Sequence, residues 1–216
     1  MLLALAICLC ACGVHWPGYQ SQPGKKPREA LLTAMEARRD ARTYRSKMSQ
    51  TSSLGSTNME VDYVAPDRYR SVGGMTMADR SSGNVEMIVI GNDSYVKAPD
   101  GNWQREKLDP NKTELYRARD EMLIENLTRA PDSAVTFAGR DELEGRPMFV
   151  FQHAFGGAPG IPATSRTKTW VGVRDGFPYK IEIEARVNNN GKEFSIKTTT
   201  TYSDYNADIT IEPPTQ

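Results

Sequence analysis

Apolar and polar residues alternate with a period of two along most of the chain from residue 44 onward, which predicts a mainly antiparallel β-structure. In residues 179–187, Tyr, Ile, Ile, Ala and Val occupy every second position, and Lys, Glu, Glu and Arg lie between them. The Asn-Asn-Asn-Gly run at 188–191 predicts a hairpin turn, because Asn and Gly tolerate the positive φ that tight turns need. Similar patterns elsewhere predict roughly nine to eleven strands in all.

Two segments instead show helical spacing. Pro27 begins the first, with apolar residues at Leu31, Ala34 and Met35. The second has Thr113 as its cap, ends before Pro131, and carries an apolar stripe formed by Leu115, Met122, Leu123 and Leu127. An antiparallel sheet this long must curl or close. The predicted fold is therefore α+β, mostly antiparallel β: a curved, half-open β-barrel whose concave face is covered by two helices.

The N-terminus has the pattern of a bacterial lipoprotein signal. An apolar run ends in Leu9-Cys10-Ala11-Cys12-Gly13, with a small residue before the cysteine that would take the lipid. The run is too short to span a bilayer, which needs about 20 apolar residues. We therefore predict a signal peptide over 1–11, a flexible tether over 12–27 and one domain over 28–213, lipid-anchored through Cys12 in the bacterial cell envelope and facing the periplasm or exterior. An ordinary signal peptide or a disordered apolar tail is the alternative.

Composition and charge exclude several classes of function. Lys plus Arg equals Asp plus Glu at 27 each, without a basic stripe, so no nucleic-acid partner is expected. All three cysteines lie within residues 8–12, which leaves none for a disulfide or a thiolate site in the predicted domain. The two histidines, His15 and His153, are too far apart for a His-x₃-His zinc motif, and no nucleophile elbow is present. We expect no metal, no cofactor and no enzyme activity, with His153 a core residue.

Several short segments, in a consistent order, resemble one family. They are Pro66-Asp67-Arg68-Tyr69-Arg70, Gly91-Asn92-Asp93-Ser94-Tyr95 with Trp103, the block 168–180, and Tyr202-Ser203-Asp204-Tyr205-Asn206. In these the chain resembles the LolA-like superfamily, which includes the outer-membrane lipoprotein-sorting carriers and the LppX/LprG-type lipoproteins of mycobacteria. The resemblance implies a half-open β-barrel with a helical lid that binds acyl chains. Because the family's sorting carrier is soluble, Cys12 points towards the anchored members.

The first hypothesis is a membrane-anchored, monomeric lipoprotein that binds the acyl chains of a lipid or an acylated protein between sheet and helices. Its candidate cavity residues are the apolar inward positions: Met59, Val61, Tyr63, Val85, Met87, Val89, Phe149, Phe151, Ile181, Ile183, Leu115, Met122, Leu123 and Leu127. The loop 156–162 is a candidate mobile rim. Five methionines (48, 59, 75, 77 and 87) lie in the first half of the predicted sheet, where flexible side chains would suit a variable ligand. Plain core residues are nevertheless the favoured explanation. The alternative function is an envelope sensing or protein-binding platform whose cavity is filled by its own side chains.

Overall fold

One eleven-stranded antiparallel sheet forms the body of the protein. The structure is a computed structural model and describes residues 26–77, 83–98, 100–108, 124–156, 163–189 and 192–215. The strands, in chain order, are β1 Thr43–Ser52, β2 Gly55–Val64, β3 Arg68–Met77, β4 Val85–Ile90, β5 Asp93–Lys97, β6 Trp103–Lys107, β7 Val135–Leu143, β8 Arg146–Gly156, β9 Ala163–Gly172, β10 Pro178–Asn189 and β11 Lys192–Ser203.

The strand order is β6-β5-β4-β3-β2-β1-β11-β10-β9-β8-β7. Two meanders of consecutive hairpins are thus joined by the pairing of β1 with β11, in which Ser52 lies opposite Ile196. The edge strands β6 and β7 are not paired with each other, so the sheet stays open. The predicted mostly antiparallel, half-open architecture is confirmed.

Helix α1, Pro27–Arg39, begins where the sequence predicts it, with Pro27 in the first turn and Glu29 and Arg38 placed favourably for the helix dipole. Its apolar stripe is fully buried: Leu31, Ala34 and Met35 each have no exposed surface. Residues 124–129 form helix α2, followed by a 3₁₀ turn at Asp132–Ala134. The predicted start of the second helix lies outside the described residues.

Side chains on the two faces of the sheet form separate apolar clusters. On the inner face, Phe149, Phe151, Val171 and Ile181 pack with α1, and Leu127 of α2 joins them. On the outer face, Met148, Val150, Trp170 and Tyr179 form a second cluster. The alternation at 179–187 predicts that Tyr179 lies on the inner face with Ile181. This prediction is wrong: Tyr179 lies in the outer cluster, because the register of β10 shifts between Pro178 and Lys180.

The C-terminal segment after β11 closes one end of the sheet without regular secondary structure. Arg68 donates a hydrogen bond from Nη1 to the carbonyl of Ile211 (2.8 Å), and Ile211 itself is buried. Asn206 accepts a bond from the backbone N–H of Arg42 (2.8 Å) and donates its own N–H to Thr43 (2.9 Å). These bonds fix the segment against the start of β1 and of β3.

Candidate functional site

Helix α1 covers only one half of the inner face. The buried cluster that it forms draws its sheet residues from β7 to β10, with Tyr202 of β11 packed at its margin. Residues from β2 to β6 do not belong to this cluster. The inner face therefore has two halves. In the packed half, β7–β11, side chains are buried under α1, whereas the side chains of β1–β5 do not belong to that buried cluster.

Three cross-strand rows line this second half. One row runs through Met48, Met59, Gly73 and Val85 on β1 to β4. The next holds Ser46, Val61, Ser71, Met87 and Val96, and the third holds Tyr44, Tyr63, Tyr69, Val89 and Ser94. Met75 and Met77 continue the inner face along β3. We call the apolar part of this surface the methionine face, consisting of Met48, Met59, Val61, Met75, Met77, Val85 and Met87.

The methionine face combines apolar chemistry with accessibility. Met48, Met59, Val61 and Met87 are only partly buried, and Met75, Met77 and Val85 are exposed. Methionine adapts to ligands of different shape because its side chain is unbranched and polarizable. An accessible apolar surface on the inside of a curved sheet suits an apolar ligand.

Gly73 leaves a gap in the centre of this surface. It lies opposite Met59 on β2 and Val85 on β4. A Cβ atom at Gly73 would come within 2.6 Å of the carbonyl oxygen of Asn58, so β2 and β3 can approach this closely only because the residue has no side chain. The floor of the methionine face is therefore lower at β3 than at the strands on either side.

Tyrosines close the far end of the same face. The rings of Tyr44 and Tyr63 are 4.8 Å apart, and those of Tyr63 and Tyr69 are 5.0 Å apart. Next to them, the buried guanidinium of Arg38 donates a hydrogen bond to the Tyr202 hydroxyl (2.6 Å) and lies over its ring. The inner face thus changes from apolar and accessible at the end of the β1–β2 turn to aromatic and polar at the start of β1.

The predicted cavity residues fall into three groups. Met59, Val61, Tyr63, Val85, Met87 and Val89 share the inner face of β2 to β4, as the alternation predicts. Phe149, Phe151, Ile181 and Leu127 are buried in the cluster under α1, with Ile183 packed against it. Cys12, Leu115, Met122, Leu123 and the loop 157–162 lie outside the described residues. Ligand contact stays a prediction for all of these positions, and the methionine face is where the structure leaves accessible surface.

Sequence reasoning missed three contributors to this region as candidate site residues, namely Arg38, Tyr44 and Tyr69. It named Met48 only among the methionines of the first half of the sheet. Tyr44, Ser46 and Met48 alternate along β1 and could have been assigned to one face from that pattern. No local signal marks Arg38, because its contact with Tyr202 joins residues far apart in the chain.

His153 lies on the inner face of β8 and is almost fully buried, as predicted for a core residue. Burial lowers the pKa of its imidazole from 6.5 to about 4. Between these pH values the unfolded chain binds a proton that the folded protein does not, so stability falls as the pH decreases.

A pH dependence of stability follows from this shift. We expect the His153 imidazole to remove about 2–3 kcal/mol of unfolding free energy between neutral pH and about pH 4. Urea unfolding of the natural chain and of His153→Gln, each at both pH values, measures the effect. Carboxylate titration is common to both proteins, so the difference between them isolates the imidazole. Equal pH dependence in the two proteins would contradict the expectation.

Neither a metal cluster nor a membrane-spanning helix is found in the part of the chain that the structure describes. No group of three or more His, Cys, Asp or Glu side chains there is arranged to hold a metal ion. Among the same residues, no helix has the length and apolar character needed to cross a bilayer.

Solved structures share this architecture. LprF from Mycobacterium bovis matches with a TM-score of 0.61 and 14% identity over 92% of this chain and 100% of that one. The lipoprotein LppX from Mycobacterium tuberculosis matches with a TM-score of 0.55 and 16% identity over 86% and 97%. No protein-family model matches the chain, and no curated protein does. The chain therefore has the fold of LprF and LppX.

Proposed function

We propose that the protein is an envelope lipoprotein that carries or accepts a lipid or an acylated protein, and that it binds the acyl chains on the methionine face. The observation that supports this most directly is the division of the inner face. One half is filled by α1, while the other half offers Met59, Val61 and Met87 partly exposed on a curved surface.

The energetics of acyl transfer agree with such a site. Burying an acyl chain of about 14 methylenes gains on the order of 11 kcal/mol, in a protein groove as in a bilayer. A carrier therefore needs only a small difference in affinity to take up and release its ligand. An accessible groove lined by flexible side chains meets that requirement better than a closed, rigid cavity does.

The proposal includes anchoring through Cys12 and a location in the bacterial envelope. The pattern Leu9-Cys10-Ala11-Cys12 supports the anchor, and the fold shared with the lipoprotein LppX is consistent with it. Catalysis is proposed to play no part, because the sequence carries neither a nucleophile elbow nor a His-x₃-His zinc motif.

Mass spectrometry of the full chain tests both parts of this proposal. The protein is expressed in a bacterial host and purified in detergent. Its mass is then measured under native conditions, after release from the micelles in the gas phase, and under denaturing conditions. A covalent lipid on Cys12 survives denaturation, whereas a lipid on the methionine face is lost. We expect a native mass that exceeds the denatured mass by one lipid, and a denatured mass that includes the anchor.

Equal native and denatured masses, with no uptake of added lipid, would overturn the binding proposal and favour the protein-binding platform. A denatured mass without an acyl modification would overturn the anchor alone. The two parts of the proposal therefore fail separately.

A further inference from the structure

Large apolar side chains are exposed at one end of the sheet. Leu54 in the β1–β2 turn is 65% exposed, Met77 at the end of β3 is 48% exposed, and Val85 at the start of β4 is 51% exposed. The register places them together, because Gly55, next to Leu54, lies opposite Met77, and Gly73 lies opposite Val85. With Met75, which is 42% exposed, they form what we call the apolar rim.

A basic cavity lies at the same end. It has a volume of about 610 Å³, and its charged lining consists of Arg166, Arg186, Lys197 and Glu184. Lys197 is 3.7 Å from Glu184, and Arg166 and Arg186 line the same cavity. The hydroxyls of Thr164, Ser165 and Ser195 complete the polar lining. This combination of cations and hydroxyls is complementary to a phosphate group.

The strand register links the cavity to the apolar rim. Ser52, which precedes the β1–β2 turn, lies opposite Ile196, and Ile196 lies opposite Ala185 between Glu184 and Arg186. Met77 on β3 and Ala185 on β10 are therefore separated by four strand spacings, about 19 Å along the sheet. The apolar rim and the basic cavity can therefore contact the same flat surface at this end of the sheet.

The polypeptide also enters the domain here. Lys26, immediately before α1, forms an ion pair with Asp132 (2.6 Å), and Arg28 pairs with the same carboxylate (2.8 Å). Asp132 belongs to the 3₁₀ turn directly before Val135, the first residue of β7. Val135 lies opposite His153, close to the end of β8. Lys26, the first described residue, thus lies at the end that carries the rim and the cavity.

From these three coincident features we propose that this end of the sheet docks on an anionic bilayer. The apolar rim inserts into the interfacial layer, and Arg166, Arg186 and Lys197 contact lipid phosphates. A bilayer is the occupant that matches exposed apolar side chains beside cations, because it presents an apolar layer and negative phosphates a few ångströms apart. The proposal goes beyond acyl binding, because docking requires no ligand on the methionine face. Docking would, however, orient that face towards the membrane.

Single-cysteine fluorescence tests the orientation in the full chain. Cys8, Cys10 and Cys12 are replaced by Ser so that the reporter is the only thiol, which also removes the lipid anchor. An environment-sensitive fluorophore is placed at Leu54→Cys or, as the matched control, at Glu142→Cys near the opposite end of the sheet. The vesicles contain phosphatidylglycerol, phosphatidylcholine and a nitroxide-labelled quencher lipid. We expect several-fold stronger quenching at position 54 than at position 142.

Charge reversal then tests the cations. Each basic residue near an anionic membrane contributes about a fivefold change in affinity. Loss of two cations alone gives about 30-fold, so Arg166→Glu with Arg186→Glu should raise the lipid concentration needed for quenching by at least about 30-fold. Arg39→Glu with Arg174→Glu, at the other end, is the control and should change it little. If the first pair impairs folding, the natural cations can be screened with salt, and quenching should fall in the same way.

Equal quenching at positions 54 and 142, or quenching at neither, would overturn the docking proposal. So would quenching at position 54 that is equally strong on purely zwitterionic vesicles. Lipid bound to the methionine face, measured by mass, would be unchanged by such a result, so failure of docking is distinguishable from failure of the proposed function.

Discussion

Replacing Val61 with glutamate is expected to remove at least nine-tenths of the lipid that the natural chain retains, that is, about a tenfold loss or more. Val61 lies in the middle row of the methionine face, opposite Ser71 on β3, with Met59 and Tyr63 on either side along β2. An acyl chain bound there would force the new carboxylate out of water, and the cost of burying an unpaired charge is several kcal/mol. Because Val61 is only partly buried, the unliganded protein can keep the carboxylate solvated and still fold.

The measurement is the ratio of bound lipid to protein in native mass spectra of both proteins. Asn58→Glu provides the matched control, because it places the same charge on the same strand but on the exposed outer face. We expect this control to retain lipid at the level of the natural chain. Undiminished lipid in Val61→Glu would show that the acyl chains bind elsewhere, and loss in both variants would point to a general effect of charge.

Replacing Leu31 with alanine is expected to lower the free energy of unfolding by about 2–5 kcal/mol. The Leu31 side chain has no exposed surface and packs in the cluster that includes Phe149, Phe151 and Ile181. Its truncation leaves a cavity that the surrounding sheet can fill only in part. Because this cluster lies in the packed half of the inner face, the lipid content of the protein that remains folded should not change.

Chemical denaturation of the natural chain, Leu31→Ala and Glu36→Ala measures the effect. Glu36 lies on the same helix but outside the buried cluster, and alanine is the best helix former, so this control should be close to neutral. A loss below about 1 kcal/mol in Leu31→Ala would mean that α1 contributes little to the core. A loss of bound lipid in folded Leu31→Ala would contradict the division of the inner face into two halves.

Alternation was sufficient to predict the strands with large apolar residues on one face, such as β10, and the helical stripe located α1. It did not indicate β3 as a separate strand, because Gly73 and Gly74 interrupt the pattern in its middle. The same absence of side chains that hides β3 in the sequence lowers the floor of the methionine face.

Which strands α1 covers could not be predicted either. The sequence shows that one side of α1 is apolar, but the choice of partner depends on the long-range pairing of β1 with β11. The predicted cavity residues therefore include both residues of the packed half, such as Phe151, and residues of the methionine face, such as Met87. Alternation alone places Tyr179 on the wrong face, because a register shift such as that of β10 has no fixed signature in the sequence.

The strand order also has a consequence for folding kinetics. Every ladder in the described sheet except β1–β11 joins strands that follow one another in the chain. Such hairpins form quickly, whereas joining Ser52 to Ile196 must overcome the closure entropy of the long segment between them. We expect two rapidly formed meanders whose association limits the folding rate. Until they associate, the edges of β1 and β11 have unpaired backbone groups. These edges can then pair with β1 or β11 of another copy of the chain.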